Sequence, residues 1–479
     1  GDLFHRMTGF SEAEINKIHG AVLEVLQDVG VAFREPEAVE IFKNHGFKTE
    51  GETVFFQEKQ VVNPLATAPS RFVVHARNPE KDVAIGGKDF ALLPGWGSPF
   101  IIDGNGDQRE ALMADYIDFC KLVHTSPYLD MMDFLAVMPS DIPPYHSHLD
   151  MLLANLLYTD KACMASPQDR RKAKDNIEML SILWGGRDKI QDRPVTISKI
   201  NPVSPFIYTE EMTGALIEYA RLGQPLQFPN LCMAGTTGPV SLPGALVVLT
   251  AEALAGIVLA QIIHPGTPCV FGGNSCATDM KTGAAAAGGP EAIVLIHAIT
   301  QMAEFYGLPC KAGGSVTDAH VPDMQAGFES ALGLFTALAA GAHLMDQSCG
   351  ILSCFNAMSF EKFLVDEESC GYVRRILRPM EVSDNTIGMD QIKRAGIGGS
   401  YLAFSETFSR FRSEIFIPNL AYRGGYDHWA TAGKKKIRQK AAEYKEKRLA
   451  AYVKPAIDPG LEEALIRFVK RRKAEITGS

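Results

Sequence analysis

Cys232-Met233-Ala234-Gly235-Thr236-Thr237-Gly238-Pro239-Val240 and Thr317-Asp318-Ala319-His320-Val321-Pro322-Asp323-Met324-Gln325-Ala326-Gly327 are the two strings that decide the fold. Each follows a short apolar run ending in small residues and precedes a long alanine-rich helical run. Each therefore reads as a loop at the carboxyl end of a buried strand, where β/α enzymes carry their chemistry. The same rhythm of strand, loop and helix extends outward from these strings, beginning near Leu112. Buried strands are expected at 134–137, 162–165, 196–200, 227–233, 269–272, 310–313 and 342–345. Such alternation implies parallel strands joined by crossover helices. Seven strands in order favour a closed α/β barrel of eight units over an open sheet, with the eighth strand ambiguous.

The flanking regions follow other patterns. Ser11 and Glu14 have capping-box spacing, Ile15, Ile18, Val22, Leu26 and Val29 repeat on one face, and Gly30 is placed to end the helix. From Thr53 to Asp103 the chain becomes alternating and turn-rich. Val61-Val62, Phe72-Val73-Val74, Ala91-Leu92-Leu93 and Phe100-Ile101-Ile102 predict a small sheet packed beside the barrel. The expected organisation is an amino-terminal helix and small sheet over 1–110, the barrel over 111–400, and a helical extension with a basic tail over 401–479.

Composition excludes several function classes. The 479 residues are 46% hydrophobic and 22% charged, as in ordinary globular enzymes. No uninterrupted apolar run approaches the roughly 18 residues of a membrane span, and no signal-peptide pattern opens the chain, so a cytoplasmic protein without membrane contact is expected. Nine cysteines are scattered between Cys120 and Cys370 without a C-x-x-C pair, which argues for a reducing compartment and against both a disulfide framework and a compact thiolate metal site. The net charge of -9 is uneven: from Thr431 onward there are 14 Lys/Arg against 6 Asp/Glu, leaving an acidic body. An acidic body does not suit nucleic acid. The basic tail reads as a solvated helix face or as a docking surface for an acidic protein.

The glycine-rich region from Gly272 to Pro290 contains neither G-x-x-x-x-G-K-[ST] nor G-x-G-x-x-G between strand and helix, so it is not read as a phosphate loop. Gly289-Pro290-Glu291 instead reads as a helix start, with proline at the first position. A lone histidine or aspartate at a loop end is usually structural, and Asp323 after Pro322 has the pattern of a helix cap.

Together with Ala251-Glu252-Ala253-Leu254-Ala255-Gly256, His264-Pro265-Gly266 and Gly289-Pro290-Glu291, the two opening strings resemble the trimethylamine methyltransferase family. The resemblance runs across nearly the whole chain. It implies a TIM-type (β/α)8 barrel, a methylated amine as substrate, and the Co(I) of a separate corrinoid (cobalamin) protein as methyl acceptor. Archaeal trimethylamine enzymes of the family carry pyrrolysine, and all 479 letters here are standard residues. The chain is thus closer to the non-pyrrolysine branch, which includes glycine betaine demethylases. Carnitine, proline betaine and choline share the same cationic head.

That chemistry defines the candidate site. A quaternary nitrogen leaves as a neutral amine without protonation, so the protein must mainly orient the substrate and exclude water. Aromatic faces should hold the cation, each contributing about 0.5 to 2 kcal/mol. Trp96, Tyr208 and Phe355 are the candidates carried forward, although any one aromatic is more often core. A substrate carboxylate calls for a positive or donor group, for which His320, His343 and Asn230 are placed at loop ends, and Gln325 is a donor to substrate or cofactor. Asp318, His320 and His343 are the candidate catalytic groups, with Asp346 as an orienting partner. Gly235, Gly238, Gly313 and Gly314 are expected to keep the barrel mouth open to the corrinoid. No resident metal is expected, and a homo-oligomer is. The rival classes are a non-catalytic quaternary-amine binding protein and a zinc-dependent thiol methyltransferase.

Overall fold

The computed structural model describes residues 9–478. Eight short parallel strands form the barrel: β1 (Ala91–Leu92), β2 (Met131–Met132), β3 (Ala162–Met164), β4 (Thr196–Lys199), β5 (Leu226–Asn230), β6 (Cys269–Gly273), β7 (Cys310–Ala312) and β8 (Leu344–Met345). Their spatial order is β1-β8-β7-β6-β5-β4-β3-β2, the order of a singly wound barrel. Between β1 and β2 the ladder is replaced by Asp130: its N–H donates to Leu92 O at 2.8 Å, and its Oδ2 accepts from Leu92 N at 2.8 Å. Arg374 holds the same carboxylate at 2.7 Å.

The eighth strand is thus the first in the chain. Ala91–Leu92 belongs to the barrel, not to the small sheet expected around it, and pairs with β8 through Leu344↔Ala91. The strand itself is expected, but its partner lies at the far end of the barrel sequence, so no local pattern assigns it to the barrel. The strand expected at 134–137 forms earlier, at Met131–Met132, because the apolar run continues into a buried loop over the mouth. Val61 and Val62 lie in the helix Glu58–Leu65 rather than in a strand. Phe72 to Val74 does form a strand, paired antiparallel with Val83–Gly86.

Helix starts follow their local chemistry. In α1 (Glu12–Glu24) the Ser11 hydroxyl accepts from Glu14 N at 3.3 Å, and the Glu14 carboxylate accepts from Ser11 N at 2.8 Å, closing the expected capping box. Gly30, at φ 76°, ends the π turn that follows. After β5 comes α2 (Leu242–Ile263), apolar on every face. It is long and apolar enough to cross a membrane, although no apolar run of that length is read from the sequence, and 83% of its most apolar window is buried within the molecule. It packs against both α1 and the barrel strands β5 and β6. Helix α3 (Pro290–Phe305) begins at Pro290 as expected, and α4 (Met324–Ala340) is capped by Asp323, whose Oδ1 accepts from Ala326 N at 3.1 Å.

Candidate active site

The floor of the barrel mouth is made of charges. Lys199, the last residue of β4, and Lys311, the middle residue of β7, are both fully buried. Between them lies Asp346, one residue past β8: its carboxylate is 2.9 Å from Lys199 Nζ and 3.0 Å from Lys311 Nζ. Asp133, one residue past β2, pairs with Lys199 at 2.8 Å. Gln227 on β5 donates to Asp346 Oδ2 at 2.9 Å, and Lys311 also donates to Asn274 Oδ1 at 2.6 Å. Four charged side chains from in or just after four strands are thus paired within hydrogen-bond distance, the arrangement that makes buried charge tolerable. Burial raises the Asp133 carboxyl to about 7 against the opposing pull of Lys199, with the nearby Asp346 carboxylate adding to the rise. Burial would also raise Asp346, but the two ammonium groups outweigh it and hold that carboxyl well below the usual range.

Above the floor, Trp96 leans in from the loop after β1, and the Lys199 ammonium lies 3.4 Å from its ring centroid. Lys199 is buried while Trp96 is half-buried, so the ring caps the charged floor on the side toward the mouth. The next wall is a hairpin between the strands Ile351–Leu352 and Ala357–Met358. Its tip holds three consecutive non-glycine residues in the left-handed region: Ser353 at φ 53°, Cys354 at 49° and Phe355 at 70°. Such residues cost on the order of 1 to 3 kcal/mol each and persist only where neighbours over-determine them. Here Ser353 N donates to Ala319 O at 2.8 Å, Cys354 N to Thr317 O at 3.0 Å, and Ser98 Oγ to Phe355 O at 3.0 Å. The tip is bolted both to the loop after β7 and to the loop after β1.

This clamp gathers several expected site residues. His320 meets Ser353 Oγ at 2.7 Å through Nδ1, and Asp318 accepts from Gly288 N at 3.0 Å. Burial raises the Asp318 carboxyl. Phe355 lines a narrow cavity with Gly273, Asn274, Gly314 and Glu329. Trp96, Phe355, Asp318 and His320 therefore surround one mouth, and Asp346 lies in its floor. Asp346 serves the two lysines, however, and not an imidazole.

Other expected residues lie elsewhere. His343 precedes β8, at the amino end of the barrel opposite the mouth. Its Nδ1 accepts from Cys310 N at 2.9 Å and its Nε2 donates to Gly87 O at 3.2 Å, which leaves the ring no free nitrogen. Tyr208 is in the core of the amino-terminal sheet, stacked on Phe33 at 4.8 Å, with its hydroxyl donating to Glu252 O at 2.6 Å. Gln325 is on the exposed first turn of α4, bonded to Glu329. Asn230 ends β5 but turns toward α2, donating to Leu249 O at 2.8 Å and to the Glu252 carboxylate at 3.3 Å.

The glycines do not form a cofactor cradle. A Cβ on Gly313 would meet Ala337 and Ile296 at 2.8 Å, one on Gly314 would meet Gln347 O at 2.7 Å, and one on Gly238 would meet Cys232 Sγ at 2.6 Å. Their missing side chains are replaced by this chain's own atoms. Gly235 alone of the four has room, with its nearest neighbour at 3.5 Å.

Sequence reading missed Lys199, Lys311, Asp133, Asn274 and Ser353. The lysines left a signal: Thr196-Ile197-Ser198-Lys199-Ile200 and Cys310-Lys311-Ala312 each place a charge inside a strand that otherwise reads as buried. A charge at such a position must find a buried partner. Among the described residues no three His, Cys, Asp or Glu side chains converge as a metal-ligand set. Burial raises the thiols of Cys232, Cys276 and Cys354, the last to about 11.

The whole chain aligns with known proteins. The family model described as trimethylamine methyltransferase matches residues 2–477. The glycine betaine methyltransferase of Desulfitobacterium hafniense (strain Y51) is 38% identical over 99% of both chains. The proline betaine:corrinoid methyltransferase of Eubacterium limosum is 30% identical over 96% of both. Among solved structures, the monomethylamine methyltransferase of Methanosarcina barkeri superimposes with a TM-score of 0.54 over 93% of this chain and 89% of that one. At 10% identity, this likeness concerns the fold. A match of this extent, on a barrel with its charged and aromatic residues at the carboxyl ends of the strands, makes the chain a member of the trimethylamine methyltransferase family.

Proposed function

We propose that this protein moves a methyl group from glycine betaine to the Co(I) of a separate corrinoid protein, leaving dimethylglycine, and that it does so in the cytoplasm. The observation that carries the reading is the charged floor beneath Trp96. Lys199 and Lys311 place two N–H donor groups at the floor, with Asp346 between them and Asp133 on Lys199. A substrate with a cationic head and a carboxylate is then oriented carboxylate-inward, with its N-methyl groups toward the mouth. Full-length similarity to a glycine betaine enzyme supports the same choice.

The bond changes are simple. The carbon–nitrogen pair stays on nitrogen, which leaves neutral, and the methyl carbon bonds to the incoming nucleophile. No proton has to be delivered, so the residues of the mouth act by position. Trp96 offers an aromatic face to the ammonium head. The clamp formed by Ser353 and Phe355, with exposed His320 bonded to Ser353 on its outer side, fixes the wall of the mouth. The corrinoid arrives as a substrate on its own protein, and the supernucleophile that it supplies is the methyl acceptor. The zinc-thiol alternative fits less well, because among the described residues no three His, Cys, Asp or Glu side chains converge as a ligand set. A passive binding protein would not need its ligand's methyl groups directed to the mouth.

The test is an anaerobic optical titration of a Co(I) corrinoid protein with this chain and each amine, following methyl-cobalt formation. Glycine betaine should react, with carnitine and proline betaine as the nearest competitors. Choline and trimethylamine, which lack the carboxylate, should react at least about 10-fold more slowly. Equal rates for choline would sink the carboxylate-inward pose. Silence with every amine, with the corrinoid protein present, would sink the methyltransferase reading.

A further inference from the structure

Gln347 follows β8 by two residues, at the mouth end of the barrel. Its backbone is held on both sides: Ser315 N donates to Gln347 O at 2.8 Å, and the next residue, Ser348, donates its N–H to Leu93 O at 2.9 Å. The residue is 7% exposed, so its side chain has little freedom. Chemistry then fixes which way the amide faces. The Lys311 ammonium can only donate, and it lies 3.3 Å from one end of the Gln347 amide and 2.6 Å from one end of the Asn274 amide. Both ends must therefore be oxygens. The Asn274 nitrogen is thereby turned toward Gln347 Oε1 and donates to it as well. With two donors on its oxygen, the Gln347 amide has its nitrogen directed away from Lys311. No acceptor among the described residues meets that nitrogen, and it is not one of the enclosed, unpartnered atoms of the interior.

These two N–H groups differ from the other donors of the floor. Lys311 has four acceptors for its three hydrogens: Asp346 at 3.0 Å, Asn274 Oδ1 at 2.6 Å, Gly313 O at 3.0 Å and Gln347 Oε1 at 3.3 Å. Lys199 is engaged by Asp133 at 2.8 Å, by Asp346 at 2.9 Å and by the Trp96 ring at 3.4 Å. Both ammonium groups are already engaged, so a carboxylate drawn to them also needs a donor with hydrogens to spare. A primary amide anchored on a lysine meets that need. Its direction is fixed, it stands beside positive charge, and it adds no further charge to bury. Its place in the barrel fits as well. Strand β8 pairs with β1, whose following loop carries Trp96, so the donor and the aromatic face for the cationic head leave neighbouring strands.

We propose that Gln347 is a specificity-determining residue: its Nε2 donates to the substrate carboxylate, and Lys311 and Asn274 aim it by holding its oxygen. This assignment rests on the glycine betaine reading and names the donor within it. The test is calorimetric binding of glycine betaine and of choline to the full chain without corrinoid. Gln347→Glu keeps the oxygen that Lys311 and Asn274 hold and replaces the free nitrogen with a second acceptor. The variant should keep the urea midpoint of the wild type and bind choline no more weakly. It should bind glycine betaine at least about 10-fold more weakly, the loss expected for a hydrogen bond to a charged group. Unchanged glycine betaine binding by the variant overturns the assignment, and so does a parallel loss of both ligands, which would make Gln347 a structural residue. A wild-type chain that binds no glycine betaine overturns the substrate reading itself, and the assignment with it. Should the variant not fold, a crystal structure of the wild-type chain with glycine betaine decides. A carboxylate oxygen within about 3.2 Å of Gln347 Nε2 is expected, and a carboxylate bound out of its reach overturns the assignment.

Discussion

Asp346 shows how one buried carboxylate can hold a site together. It faces Lys199 and Lys311 with no solvent to compensate either. Asp346→Asn should therefore destabilise the fold by about 3 to 5 kcal/mol, the cost of breaking a buried pair from one side, measured by urea unfolding. A loss below about 1 kcal/mol would mean that the floor is wetter than its burial indicates. In the proposed reaction Trp96 faces the substrate instead. Trp96→Ala should raise the KM for glycine betaine about 2- to 30-fold, the equivalent of about 0.5 to 2 kcal/mol of cation–π binding, and Trp96→Phe should recover part of it. An unchanged KM with reduced kcat would assign the ring to positioning the floor. The positions of both lysines were legible as charges in apolar strands, but their partners were not. Lys199 is 66 residues from Asp133, and no local pattern records such a pairing.

At the scale of elements, glycines separate local from tertiary causes. Gly20 lies mid-helix in α1 with nothing within 4 Å of a new Cβ. Gly20→Ala should stabilise the protein by roughly 0.5 to 1 kcal/mol, seen as a higher unfolding midpoint, through helix propensity and a less flexible unfolded chain. Gly314, at φ 136° with Gln347 O at 2.7 Å, is the opposite case. Gly314→Ala should cost about 1 to 3 kcal/mol, and should slow turnover as well, because the displaced strand end borders the Phe355 cavity. Stabilisation by that substitution would show that the loop is free to move. The helix starts at Ser11 and Pro290 and the cap at Asp323 were readable, since each depends on residues within one turn. The place of Ala91–Leu92 in the barrel was not, because it is set by pairing with Leu344, about 250 residues later in the chain.

The molecule as a whole has a stability profile set by buried carboxyls. Burial raises Glu252 from 4.5 to about 7, even though Ser204 donates to it at 2.8 Å. The folded state therefore binds this proton more tightly than the unfolded chain. Its contribution is complete below about pH 4.5, declines as the pH rises through about 7, and is flat above. Asp133, at about 7, and Asp366, at about 6, act in the same direction. Unfolding free energy should thus fall between pH 5 and pH 7.5, and Glu252→Gln should remove on the order of 3 kcal/mol of that fall. A slope unchanged by the substitution would show that Glu252 titrates normally. By itself, the sequence determined the alternating strands and helices, the loops at the carboxyl ends of the strands, the capped helix starts and the family, because these are written in spacings of a few residues or in whole-chain similarity. Only the tertiary structure decided which strand closes the barrel, which charges form its floor, that His343 and Tyr208 are framework, and that Gly313 and Gly314 are packing. Closure and charge pairing depend on residues brought together from distant parts of the chain, and their energy exists only after that approach.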